Sequence, residues 1–453
     1  MNTNKANFPE NTWTKISQQE LDQILDSHAA FVNNERGGER AKLGMYDLSY
    51  LDMSDRQLSR VDMVGALLCY CDFQGADLSD SNLFAADLRF ATMQAANLDR
   101  ADLRGTCMAG ANLSDVSMID GDLRDGVLLK TGQFGGDIMP VNHDDANAGL
   151  EKAVIRRANM TNVKVSDSVI VQTDMTDCNL RNAKFIRTNL SLSNLTGCNL
   201  EGADFTDAVL SGVIFHGAIF SNTILTNADL SGADLIGAMF DNVDLTQAKL
   251  GDAKLPKSLS QLDLSLQEIL INHRNWVKSN GKEGKRATLS SMDLANVDLT
   301  GANLSAADLS YCILKGAKMQ KTEFLMADLS FADLRGAVMA RADLRGAKFK
   351  RANMSNANLV GAIFSEVNVS NRAGGGEWRT SLDHAVLRGA LLNGAVLKNA
   401  DLEYVDFSKA DLRDANFFGS VLRDSNFTDA DTRGANFENT DTRGCIGLNL
   451  DDE

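Results

Sequence analysis

The sequence predicts an all-β fold with two helices: a four-sided β-helical solenoid, present twice, each copy opened by a capping helix. Three observations predict it. Apolar residues recur at every fifth position, outward-facing residues match at a spacing of twenty, and one amphipathic segment occurs twice, about 245 residues apart.

The five-residue beat comes first. Every fifth residue from Leu43 to Leu128 is Leu, Met or Phe, and the beat returns from Ile155 to Leu255, Leu289 to Val369 and Leu387 to Thr442, with Thr432 and Thr442 the only polar centres. Neither the 3.6 period of a helix nor the strict alternation of a strand accounts for it. Two residues before most centres stands a small residue, as in Ala76-Asp77-Leu78, Ala101-Asp102-Leu103, Ala302-Asn303-Leu304 and Ala342-Asp343-Leu344. A separation of two puts both on one face of an extended segment, so each pentapeptide is a very short strand with two inward residues. The remaining residues turn a corner. Glycine recurs there, as Gly75, Gly202, Gly232 and Gly336, where positive φ costs it little.

The spacing of twenty gives the number of sides. Stacked coils bring equivalent positions about 4.8 Å apart. Arg60, Asp80, Arg100 and Asp120 alternate in sign, Tyr50, Tyr70 and Phe90 are all aromatic, and Tyr311 precedes Phe331 by the same interval. Opposite charges and aromatic pairs are favourable cross-strand neighbours, so four pentapeptides complete one coil.

The helices follow. Leu21, Ile24, Leu25, His28, Phe31 and Val32 form the stripe of an amphipathic helix, and Leu266 to Val277 repeat it with His273 at the place of His28 and Trp276 at that of Phe31. Ser17 with Glu20 and Ser265 with Glu268 have the spacing of capping boxes. Arg40-Ala-Lys-Leu43 and Arg286-Ala-Thr-Leu289 then open the two solenoids. A solenoid end exposes unpaired backbone and bare core, and a helix laid across it removes both hazards. Phe31, Trp276, His28 and His273 therefore read as cap contacts.

The A-(D/N)-L-x-x consensus over about three quarters of the chain resembles the pentapeptide repeat family. The resemblance implies a right-handed quadrilateral β-helix, here duplicated. The expected organisation is a tail over 1–16, a capping helix and loop over 17–39, and a first β-helix over 40–255 with an insertion at 129–152. A linker and second helix over 256–285, a second β-helix over 286–447 with an insertion at 370–384, and an acidic tail over 448–453 complete it.

Composition narrows the function classes. No long apolar run and no basic-then-apolar leader appear in the 453 residues, so a cytoplasmic protein without a membrane segment is expected. Seven cysteines, with Cys71, Cys178, Cys198 and Cys312 at the small inward position, read as buried side chains rather than a disulfide framework. All three prolines lie outside the regular repeats, as a ladder of backbone donors requires. His143-Asp144-Asp145 is a sparse cluster that reads as a solvated loop, and Gly374 to Gly376 lacks the context of a phosphate loop. No catalytic constellation, metal site or cofactor motif emerges.

Three functions remain. The favoured one is a non-enzymatic scaffold of two rigid β-helical rods that binds a protein partner, without direct nucleic-acid binding and with a homodimer through the C-terminal coil as a further expectation. The resemblance allows a second, a DNA-mimicking binder of DNA gyrase or topoisomerase IV. That reading needs a continuous acidic face, yet the net charge of −16 owes much to the repeat consensus, and the stretch from Lys315 to Arg351 is basic. The third, an enzyme with its site in the insertions, has no supporting residues. Lys315, Lys321, Arg335, Arg341, Trp378 and Phe134 are the candidate contacts, because like charges stacked at a spacing of twenty favour an acidic partner.

Overall fold

A computed structural model describes residues 13–131, 138–140, 149–258, 264–369 and 376–448. They form two compact units, one comprising the residues up to Asp234 with Phe240–Lys254, the other Leu235–Met239 with the residues from Leu255 onward. The elements are β1 (Thr14–Lys15), α1 (Gln18–Val32), β2 (Tyr46–Asp47), β3 (Leu129–Thr131), β4 (Ile138–Pro140), β5 (Ile219–Ser221) and β6 (Met239–Asp241). They continue with β7 (Lys257–Ser258), α2 (Leu266–Lys278), β8 (Met292–Asp293), β9 (Val367–Val369) and β10 (Gly376–Trp378). Most of the chain lies outside these labels, in single-residue parallel bridges between positions twenty apart.

One repeat shows why five residues suffice. In Ala76-Asp77-Leu78-Ser79-Asp80 the Ala and Leu side chains are buried, and Asp77 Oδ1 accepts the Ser79 N–H at 3.0 Å, which starts the turn. Leu78 N–H donates to Asn97 O at 2.7 Å, Asp80 N–H to Asp99 O at 2.9 Å, and Asn97 N–H returns to Ala76 O at 2.9 Å. The polar residue of the consensus is thus a turn former, and backbone donors on each side find the neighbouring coil. The fifth residue takes a left-handed φ, 56° at Asp80. Among the described residues many non-glycine side chains do so, Asn and Asp foremost, and none is Val, Ile or Thr. Branching at Cβ makes that conformation costly. Asparagine gains by stacking: Asn182 Nδ2 donates to Asn162 Oδ1 at 3.2 Å, and Asn162 Nδ2 to Asp120 Oδ1 at 3.0 Å.

The centres stack inside as buried columns, Phe185 on Phe205 with ring centroids 5.1 Å apart and Phe407 on Phe427 also at 5.1 Å. A hydroxyl or thiol at the small position often donates to the carbonyl of a centre one coil earlier, although Thr106 and Ser420 donate to the centre three residues back. Ser193 Oγ reaches Ile170 O at 2.7 Å, Thr322 Oγ1 Leu299 O at 2.8 Å, and Cys312 Sγ Leu289 O at 2.9 Å.

Both helices carry the expected capping boxes, Ser17 with Glu20 and Ser265 with Glu268. Each is preceded by a short strand that pairs in parallel with the first coil, Thr14 opposite Tyr46 and Lys257 opposite Met292. His28 and His273 are fully buried, and their Nδ1 atoms accept the N–H of Ala41 at 3.1 Å and of Ala287 at 3.0 Å. Phe31 and Trp276 stack on those imidazoles at 5.9 and 5.7 Å.

In each unit the chain leaves the ladder for one excursion among the described residues. Asp102 pairs with Asp122, but Cys107 pairs with Gly149; Asp343 pairs with Ile363, but Lys348 pairs with Ser381. Register is recovered after each excursion, because any other restart would point the centres outward. The first excursion contains the antiparallel hairpin β3–β4 and the second β9–β10. Two expectations change here. Leu128 and Val369 keep the five-residue beat but not the coil: Leu128 packs on the outer corner at Gly65, and Val369 belongs to the backbone of β9. The coils resume one repeat earlier than the beat suggests, with buried Leu150 and Leu382. The column of Arg60, Asp80 and Arg100 forms: Arg100 pairs with Asp80 at 2.7 Å, and Arg60, its guanidinium 5.0 Å over Phe31 of the cap, also lowers the Asp80 carboxyl by its charge.

Candidate protein-binding surface

The basic stretch spreads over three successive corners of the second unit. Lys315 and Arg335 adjoin the first; Lys321 and Arg341, exposed and with φ of 55° and 57°, form the second on consecutive coils. Trp378 lies at the third, where Gly346 follows Met326. Phe134 and His143 to Asp145 lie outside the described residues.

Arg335 follows Lys315 on the next coil. Its guanidinium turns along its own repeat and holds the buried Asp333 with two hydrogen bonds of 2.8 and 2.7 Å. The same bidentate pairing joins Arg89 to Asp87, Arg104 to Asp102, Arg124 to Asp122, Arg345 to Asp343, Arg413 to Asp411, Arg433 to Asp431 and Arg443 to Asp441. Asp-x-Arg, with Leu or Thr at the centre, is therefore a self-neutralising unit, since the planar fork of arginine matches a carboxylate two residues back on the same outer face. At Asp87 burial alone would raise the carboxyl, yet the Arg89 hydrogen bonds hold it below its ordinary value. An unbroken acidic face does not form where these pairs recur.

Trp378 is a different kind of residue. It closes β10, is 43% exposed, and has Lys348 Nζ 5.7 Å from its ring centroid. A Cβ added at Gly346 would stand 3.1 Å from the indole and 3.2 Å from Val367, so the absence of a side chain there seats the hairpin. Thr380 Oγ1 accepts the Gly346 N–H at 2.8 Å and anchors the end of the excursion. One corner on, His384 stacks on Tyr404 at 4.6 Å and contacts Asp383 at 2.6 Å, with Lys350 3.0 Å from the same carboxylate. Burial would raise the Asp383 carboxyl, but His384 and Lys350 hold it down at about 2.

The cysteines are structural in the described geometry. All seven are free, and burial pushes the Cys71 and Cys312 thiols up to about 12, away from nucleophilic use. No group of three or more His, Cys, Asp or Glu side chains suited to a metal occurs among the described residues. A single rung is missing in the first unit, between Ile224 and Asp244. A cleft of about 230 Å³, lined by Asn222, Thr223, Leu225, Asn242 and Gln247, opens there. The sequence offered no sign of it, since Asp244-Leu245 keeps the consensus.

Eight segments, residues 47–83, 81–120, 173–212, 188–227, 214–252, 285–322, 327–365 and 380–419, match the family model of pentapeptide repeats and together span more than half of the sequence. The chain belongs to the pentapeptide repeat family. Membership implies a right-handed quadrilateral β-helix. Among solved structures, HetL, a pentapeptide repeat protein involved in heterocyst differentiation regulation in the cyanobacterium Nostoc sp., is 22% identical. That match covers 63% of this chain and 89% of HetL, with a TM-score of 0.14. QnrB1, a plasmid-mediated fluoroquinolone resistance protein, is 14% identical over 63% of this chain and 88% of its own, with a TM-score of 0.21. A pentapeptide repeat protein of the Arabidopsis thaliana thylakoid lumen is 21% identical over 35% and 70%, with a TM-score of 0.16. A search of curated proteins finds no match. No helix among the described residues of this pentapeptide repeat protein is long and apolar enough to cross a membrane.

Proposed function

We propose that this chain is a non-enzymatic scaffold, a duplicated β-helix whose two copies each project a hairpin toward a protein partner. One observation carries the reading: the exposed indole of Trp378 is held on Gly346 with Lys348 beside it, at the end of an excursion that leaves the ladder. Exposed aromatic anchors rimmed by cations are typical of binding surfaces. In this reading Lys315, Lys321 and Arg341 flank the anchor and meet acidic groups of the partner, and the division near residues 256–285 separates the two rods. The setting is the cytoplasm.

The test is affinity capture with the wild-type chain and with Trp378→Ala. A partner retained by the first and lost by the second, with unchanged circular dichroism, supports the scaffold. Capture that ignores the substitution overturns it. A homodimer through the C-terminal coil belongs to the same reading, because Ile446 is 62% exposed in the last described coil. Light scattering that reports a monomer at high concentration removes it.

A further inference from the structure

The first unit carries an aromatic surface of another kind. Tyr50, Tyr70 and Phe90 occupy one corner on three consecutive coils, with ring centroids 5.0 Å apart at each step and interplanar angles of 3° and 17°. They are 74%, 49% and 51% exposed. The roll is closed at one end, where Phe90 lies over Gly110 and would stand 2.6 Å from a Cβ placed there. At the other end the Tyr50 ring has no second neighbour among the described residues.

Five other rings have a cation over them. Arg60 lies over Phe31 at 5.0 Å, Arg104 over Phe84 at 5.3 Å, Lys348 over Trp378 at 5.7 Å, Arg351 over Phe331 at 6.0 Å and Lys398 over Phe418 at 5.3 Å. The Tyr50 roll has no such cation among the described residues. A second observation lies beside it. Asp52 and Asp72, two residues on from Tyr50 and Tyr70, are bridged neighbours on adjacent coils, and neither forms an ion pair among the described residues. Two carboxylates opposed in this way repel each other unless a cation lies between or beside them. A flat π surface beside two carboxylates that hold no ion pair among the described residues, Asp52 meeting Arg56 only as a nearby charge, calls for one group, a planar cation that stacks and donates several hydrogen bonds. Arginine is the side chain that does both.

We propose that this corner docks an arginine-bearing segment of a protein partner, one guanidinium stacked on the open face of Tyr50 and donating to Asp52, with the Asp72 carboxylate one coil on adding to the attraction. The surface is independent of the hairpin at Trp378.

The experiment is fluorescence anisotropy of a labelled Arg-Gly-Arg-Gly-Arg peptide against the full chain at low salt. Tyr50→Asn is the main variant, because asparagine already occupies such left-handed corners at Asn162 and Asn182. Binding to the wild type, weakened about fivefold by Tyr50→Asn, is expected from loss of one cation–π contact. Asp52→Asn with Asp72→Asn weakens it similarly, and a lysine-for-arginine peptide binds less tightly than the arginine peptide. Equal affinity for wild type and Tyr50→Asn overturns the proposal, as does equal affinity for the two peptides, which would leave only net charge. Self-association by light scattering that disappears in Tyr50→Asn also overturns it, because the occupant would then be a second copy.

Discussion

Aligned at Leu43 and Leu289, the two units leave their coils one corner apart. In the first the last buried centre before the excursion is Leu123; in the second it is Phe364, one repeat earlier. The first excursion follows the corner of Gly65, Ala85 and Gly105, with Leu128 against Gly65 and Gly126 against Gly105. At the equivalent corner of the second unit stand Tyr311, Phe331 and Arg351, stacked on one another. The second excursion instead seats Trp378 on Met326 and Gly346, where the first unit has the Asp80–Arg100 ion pair. The difference teaches that a hairpin needs a glycine at the corner it crosses, because a side chain there would occupy its place. Gly65 and Gly105 leave room for the first hairpin and Gly346 for the second, whereas Tyr311 and Phe331, and Asp80 with Arg100, fill the corners compared with them.

The caps differ too. Leu21, Leu25 and His28 of α1 are buried, and Arg56 of the first coil reaches Asp22 at 2.8 Å and Asp26 at 3.1 Å. In α2 only His273 is buried, with Leu266, Ile269 and Leu270 partly so.

The largest expected effect separates those caps. Leu21→Ala should cost about 2–5 kcal/mol as a buried truncation, whereas Leu270→Ala, only partly buried, should cost about 1 kcal/mol. Hydrogen exchange of the first coil in each unit measures both, and equal protection losses would break the distinction. Next comes the corner rule. Gly105→Ala puts a Cβ 2.1 Å from the Gly126 carbonyl, so the excursion must lift, at about 1–3 kcal/mol. Gly336→Ala, with open space around it, should cost only the left-handed strain, about 1 kcal/mol. Urea midpoints that rank the two the other way would refute that rule.

A pH dependence common to both caps follows. Burial pushes the His28 and His273 imidazoles below their ordinary value of 6.5, although backbone carbonyls at Ser59 and Ser305 act against it. The unfolded chain then binds protons that the folded chain refuses, so stability is full above pH 6.5 and falls as pH drops through that value toward the lowered folded one. Protonation at Nδ1 would set an N–H against the N–H of Ala41 or Ala287. The urea midpoint of the His28→Gln, His273→Gln double variant should lose this slope between pH 7 and 5 relative to wild type. The smallest effect is Arg56→Gln, which removes two partly exposed ion pairs and should cost under about 1 kcal/mol.

Much of this was legible in the chain. The spacing of twenty placed Tyr50 beside Tyr70 and Arg100 beside Asp80, because a four-sided coil of five-residue sides leaves one register in which every centre points inward. The helices were legible from their stripes and capping boxes. The ends of the runs were not. Leu128 and Val369 continue the beat by residue type alone, and nothing local distinguishes an apolar residue in a coil from one in a hairpin strand. Arg335 follows Lys315 on the next coil as the spacing of twenty requires, but that its guanidinium turns along its own repeat to Asp333 was not legible, because the column does not fix the rotamer.

The amino-acid order by itself determined the periodic part: the inward columns, the turn-forming Asp and Asn, the left-handed corners and the helices at two solenoid entrances. These follow from interactions within five residues and their repetition. Only the tertiary structure decided which corner receives each hairpin, which rung opens between Ile224 and Asp244, and which aromatic column stays exposed. Those outcomes depend on contacts between segments far apart in the chain, whose geometry no five-residue window contains.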